Sequence, residues 1–93
     1  MTHKNLLVDT EAIIGDGVDF VELTVSGAEN DVVIVDILTG DTPSTADIVL
    51  NENGVGSEQF ACSTPATIIQ FSVSNPDEPD NPAKIITKKV RVL

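Results

Sequence analysis

The sequence predicts an all-β domain, a two-layer antiparallel sandwich of about seven strands. Three observations carry that expectation. Apolar residues alternate with polar ones in short runs, the period-two pattern of a half-buried strand. Turn-forming Gly, Asn, Asp and Pro residues punctuate these runs every 8–12 residues or so. No stretch shows a helical 3.6-residue period of useful length, and the apolar residues are mainly Val, Ile and Leu, with three Phe and neither Tyr nor Trp, a composition that favours strands.

The elements follow in order. Residues 1–9 hold a polar tip and then Leu6-Leu7-Val8, which reads as an N-terminal arm or a short strand. Residues 10–93 read as a single domain. Thr10 to Ile14 is a short strand, closed by Gly15-Asp16-Gly17, where glycine permits a tight turn. The alternation is clear over residues 18–25: Val21, Leu23 and Val25 share one side, and Phe20, Glu22 and Thr24 the other. A polar connector, residues 26–31, leads to Val32-Val33-Ile34-Val35-Asp36-Ile37-Leu38, the most apolar segment. Both of its alternating sets are hydrophobic apart from Asp36. A sandwich buries only one side of a strand, so the second side points to cover by another element or another molecule.

Residues 39–46 read as a polar loop, and Asp47-Ile48-Val49-Leu50 as a short strand. Asn53-Gly54 then signals a hairpin whose return strand is Ser57 to Cys62, closed by Ser63-Thr64-Pro65. From Ala66 to Val73, Thr67, Ile69, Phe71 and Val73 alternate against Ile68, Gln70 and Ser72, which puts Phe71 near the middle of the core. Ser74 to Pro82 carries three prolines and three acids and reads as an extended exposed loop. The last strand runs from Ile85 to Leu93. Lys88 interrupts its apolar side, and Lys88 and Lys89 side by side point to a bulge or an edge.

Composition bounds the function. The chain has 93 residues, one domain's worth, and a net charge of −10 from 15 acids and 5 bases. Nucleic acid and anionic membrane are poor partners for such a chain, and no apolar run reaches the length of a membrane span. Four of the five cations, Lys84, Lys88, Lys89 and Arg91, fall in the last ten residues. A single cysteine, Cys62, leaves no intrachain disulfide to form. Met1 is followed by no export signal, so the expectation is folding in a reducing cytoplasm.

Seven strands at this spacing indicate a sandwich of the immunoglobulin-like kind, without the Cys…Trp…Cys core of antibody domains. Residues 12–25, Ala12-Ile13-Ile14-Gly15-Asp16-Gly17-Val18-Asp19-Phe20-Val21-Glu22-Leu23-Thr24-Val25, resemble the opening of bacterial immunoglobulin-like domains and of the small immunoglobulin-like modules in tailed-phage virion proteins. Those begin with a strand, an ADGxD turn and an alternating xxLTV strand; here Gly15 stands in place of the Ala. Leu50 to Ser57 and Thr64 to Phe71 also look like the hairpin and penultimate strand of such modules, so the likeness spans about residues 10–74. The resemblance implies architecture and no catalytic residues. A free-standing module with its own Met1 looks most like a phage structural protein, assembled into the virion in the host cytoplasm. It implies a non-enzymatic capsid decoration or cement protein acting by protein–protein adhesion, with a shell or tail protein, or further copies of itself on the particle, as partner. The alternatives are a carbohydrate- or cell-surface-binding module, which lacks Tyr and Trp platforms here, and a tail or neck accessory protein.

Candidate chemistry is sparse. The only histidine, His3, is near the N-terminus, and Cys62 reads as a core filler on a strand. No zinc set, P-loop or dinucleotide glycine pattern occurs, so no cofactor is expected. Asp16 with Asp19, or the acids of residues 77–81, are oxygen donors suited to Ca²⁺ but lack EF-hand spacing. The expected interface residues are Leu6 and Leu7 of the arm, Val32 and Ile34 of the apolar strand, and Lys88, Lys89 and Arg91 of the basic last strand.

Overall fold

The structure, a computed structural model, describes residues 3–74 and 85–93. The proline-rich segment read as a loop, with the acids of residues 77–81, lies almost wholly outside the described residues. Eight strands are present among the described residues: β1 (Asn5–Val8), β2 (Ala12–Ile13), β3 (Phe20–Ser26), β4 (Val32–Thr39), β5 (Thr42–Val49), β6 (Val55–Ala61), β7 (Thr67–Ser74) and β8 (Ile85–Val92). They form a three-stranded sheet in the order β1-β3-β6 and a five-stranded sheet in the order β2-β8-β7-β4-β5. There is no helix among the described residues, hence none long and apolar enough to cross a membrane.

The two sheets pack face to face through the residues that alternation places inward. The three-stranded sheet contributes Leu6, Val21, Leu23 and Val25; the five-stranded sheet contributes Ile13, Val33, Val35, Ile37, Ile48, Ile69, Phe71, Val73, Val90 and Val92. Burying each such side chain stabilises the fold by about 1.5–3 kcal/mol. Phe71 is fully buried, and its ring meets that of Phe60 across the sandwich, with centroids 5.2 Å apart at a tilt of 52°, a favoured aromatic geometry.

Several details depart from the sequence reading. The strands number eight, not about seven, and the sandwich is not wholly antiparallel: β2 pairs β8 in parallel, Ala12 with Arg91 and Ile13 with Val92. Of the two readings of Leu6-Leu7-Val8, an arm or a short strand, the strand is the one observed: it is β1, paired with β3 from Asn5–Ser26 to Val8–Leu23. The segment expected to be a loop, residues 39–46, is a hairpin. Thr39 pairs with Thr42, and Gly40, at φ 60°, supplies the positive φ that a two-residue turn needs at its first central position. Pro43 is accommodated because β5 is an edge strand, where a missing N–H need cost no ladder bond.

The Asn53-Gly54 hairpin is also corrected. β5 and β6 belong to different sheets, so the turn carries the chain across the sandwich instead of folding it back on its neighbour. Asn51 organises the crossing. Its Oδ1 accepts from the N–H groups of Asn53 (2.8 Å) and Val55 (3.1 Å), and its carbonyl accepts from Gly54 N–H at 3.0 Å. Finally, no bulge accompanies the paired lysines. β7 and β8 keep one unbroken register from Thr67–Val92 to Ser74–Ile85. Residues 85–90 are an edge because β2 reaches only Arg91 and Val92.

Candidate interaction surface

The register fixes what the outer face of the five-stranded sheet presents. Val32 stands opposite Val49, Ile34 opposite Asp47, Asp36 opposite Thr45, and Leu38 opposite Pro43. On the other side of β4, Asp36 neighbours Ser72 and Leu38 neighbours Gln70. Beyond β7 lie Ile68 beside Arg91, Gln70 beside Lys89, Ser72 beside Thr87 and Ser74 beside Ile85. Val32, Ile34, Leu38, Val49, Ile68 and Ile85 on this face are all exposed, Ile34 at 60% and Val49 at 68%. They make up six of the twelve exposed large hydrophobic side chains among the described residues. Scattered exposed aliphatics need no explanation; half of them on one sheet face do. The outer face of the three-stranded sheet is more polar: Glu22, Thr24, Ser26, Ser57 and Gln59 surround Leu7, with Phe20 and Val55 at the strand ends.

The five-stranded face is also concave. An open hollow of about 480 Å³ lies over Asp36, Leu38, Pro43, Thr45, Gln70 and Ser72. A second, of about 380 Å³, adjoins it at Leu38 and Gln70 and reaches Asp41, Thr67, Ile68 and Lys89.

The residues expected at an interface are divided by this arrangement. Val32, Ile34, Lys89 and Arg91 share the five-stranded outer face. Lys88 does not join them: it sits on the inward side of β8, half-buried, with Phe71 as its register partner. Leu7 is exposed on the opposite sheet. Leu6 is completely buried and offers no surface to a partner; its register partner Val25 faces the same core. The sequence reading passed over Leu38, Val49, Ile68 and Ile85. For Ile68 the signal was present, since it alternates with Gln70 and Ser72. Val49 becomes visible only through its pairing with Val32.

The remaining polar side chains work locally. Asp16 Oδ1 accepts from the N–H groups of Val18 (2.8 Å) and Asp19 (2.9 Å). Asp19 accepts from Ile14 N–H (2.9 Å) through Oδ2 and from its neighbour Phe20 N–H through Oδ1. These carboxylates, offered by the sequence as calcium donors, are turn acceptors. No group of three or more His, Cys, Asp or Glu able to hold a metal occurs among the described residues. Cys62 is half-buried against the core; its Sγ accepts from Thr64 N–H at 3.5 Å and donates to Thr64 O at 3.6 Å.

Hydrogen bonds from Asp19 and then Val18 N–H hold the Asp16 carboxyl below its ordinary value of 3.8. A group lowered on folding contributes stability that is present above its unfolded pKa and is lost as pH falls through the folded one. The Asp16→Asn variant is therefore expected to lose less stability than the parent chain as pH falls below 3.8. Urea melts at pH 6 and pH 3 check this; parallel losses in the two proteins contradict it.

Comparison with family models, with curated proteins and with solved structures returns no match for this chain.

Proposed function

We propose that this chain is a non-enzymatic adhesion module, an immunoglobulin-like sandwich of the kind carried by tailed-phage virion proteins, decorating a capsid or tail through the outer face of its five-stranded sheet. The observation that carries the reading is the concentration of exposed Val32, Ile34, Leu38, Val49, Ile68 and Ile85 on that face, an apolar surface with polar margins of the sort that marks protein contact sites. The strand partition supports the immunoglobulin-like part. With β1, β3 and β6 as strands A, B and E, and β4, β7 and β8 as C, F and G, the sheets divide as in that fold. β5 then pairs with C, where the constant-type domain has D beside E.

Mechanically, docking removes aliphatic surface from water at about 25 cal/mol per Å², against the cost of immobilising the module. A single contact of this size is modest, and symmetry-repeated contacts on one particle add avidity. Cosedimentation with empty shells assembled from the shell protein of the same genome tests the reading. Saturable binding at micromolar protein is expected, reduced at least about tenfold by Ile34→Asp. Absence of binding by the unmodified chain at that concentration overturns it.

A further inference from the structure

The charges on the five-stranded outer face are sorted by position. Asp36 and Asp47 lie on β4 and β5, at one lateral side; Lys89 and Arg91 lie on β8, at the other. All four are exposed, and no ion pair joins any of them to another described residue. Between them lie Leu38, Gln70, Ser72 and Ile68. With Asp41 of the β4–β5 turn, which lines the second hollow with Lys89, the face carries three acids and two bases, close to balance on a chain whose net charge is −10.

From this arrangement, and resting on the adhesive reading above, we propose that the face pairs with the same face of a second copy of the chain, about a two-fold axis lying in the interface and running roughly along β7. In an isologous contact, if residue i meets j then j meets i. A two-fold along the strands carries β8 of one copy over β4 of the other without moving it lengthwise, so Lys89 of each copy falls over Leu38 of its mate, two residues along the strand from Asp36, and Arg91 falls over the Gly40–Asp41 turn. A two-fold across the strands sets acids near acids and bases near bases, a repulsion that disfavours that arrangement. The charge pattern thus selects one of the two face-to-face dimers. It also explains why both signs occur on one face, which docking against a surface of a single sign does not require.

β4 has 8 residues, about 27 Å at roughly 3.4 Å per residue, and the three strands that overlap about this axis, about 4.8 Å apart, span about 14 Å. The projected area is roughly 400 Å² per copy, so about 800 Å² in all, the size of a weak, transient contact. A weak, reversible dimer follows, one that repeated attachment on a particle would reinforce.

A charge swap tests the proposal. The basic side is reversed by Lys89→Glu with Arg91→Glu, and the acidic side, separately, by Asp36→Lys with Asp41→Lys. Analytical ultracentrifugation of the full chain is expected to show a concentration-dependent dimer for the parent. Each double variant alone should associate at least about tenfold more weakly, and their equimolar mixture should recover the parent's affinity to within about threefold. Both variants remain net negative, so bulk attraction cannot produce that recovery. Because all four sites are exposed, melting curves are expected to stay near the parent's; Ile34→Asn, which leaves the charges alone, tests the apolar contact independently and should also weaken the dimer. A parent that stays monomeric at millimolar concentration, a trimer, or a mixture no more associated than its parts overturns the self-pairing. A monomeric parent that still cosediments with shells removes only this inference; a chain that fails both experiments removes the adhesive reading as well.

Discussion

Replacing Phe71 with alanine is expected to lower stability by about 3–5 kcal/mol, the range for truncating a fully buried aromatic residue. The side chain is 0% exposed and touches both layers, lying on β7 and meeting Phe60 of the opposite sheet. Its neighbours are held by two hydrogen-bonded sheets and can collapse only partly into the space left. A domain of this size is stable by about 5–14 kcal/mol, so the change removes a large share. The melting temperature should fall by roughly 15–30 °C. The half-buried Phe60, cut in the same way, should cost less. Urea denaturation of the two variants checks both the size and the order; a loss below about 1 kcal/mol for Phe71→Ala contradicts the packing described.

The second large effect lies at the crossing between the sheets. Gly54 is buried at φ 75°, and a Cβ placed there would run into the carbonyl oxygen of Gly27. Gly54→Ala therefore incurs two penalties: about 1–2 kcal/mol for the left-handed backbone, and about 1–3 kcal/mol for forcing atoms into occupied space. The carbonyl cannot retreat cheaply, because Gly27 N–H is itself bonded to Gly54 O at 2.9 Å. Gly17 has a similar φ of 78°, but a Cβ there meets only Ser63, no closer than 3.4 Å. Gly17→Ala is thus expected to show the backbone cost alone. Equal losses in the two variants, read from the same melts, would show that crowding at Gly54 is not the cause.

Where alternation was strong, the sequence was legible. β3 and β7 each bury one parity against the core, and Val21, Leu23, Val25, Ile69, Phe71 and Val73 are all buried. Legibility failed where a strand does not cover the core. β5 turns Thr42, Ser44, Ala46 and Ile48 toward the inner side, yet only Ile48 is buried and its first residues are exposed. Such an edge strand needs no hydrophobic period, and its polar half read as a loop. Leu6 and Leu7 could not be assigned to opposite sides from three adjacent apolar residues; the register with Val25 and Thr24 decides. Asn53-Gly54 was correctly a turn, but only Gly54 takes positive φ, and no local signal reveals that the next strand enters the other sheet. At Gly15 a Cβ would lie 2.8 Å from Pro65 Cα and N, a contact between residues distant in sequence that no local signal reveals.

The candidate surface was half legible for the same reason. Val32 and Ile34 stood out because a strand with two apolar sides leaves one unexplained. Asp47, Val49 and Ile85 join them only through pairing across four strands. The basic last strand looked like one patch, and strand geometry sends Lys88 to one side and Lys89 and Arg91 to the other.

The measurement closest to the central claim compares the two outer faces directly. Ile34→Asp with Val49→Asp alters the five-stranded face, and Leu7→Asp with Val55→Asp the three-stranded one; all four residues are exposed, so both proteins should fold. In cosedimentation with shells, the first pair is expected to abolish binding and the second to leave it within about threefold of the parent. Binding that survives on the first protein and disappears on the second would contradict the assignment of the contact surface.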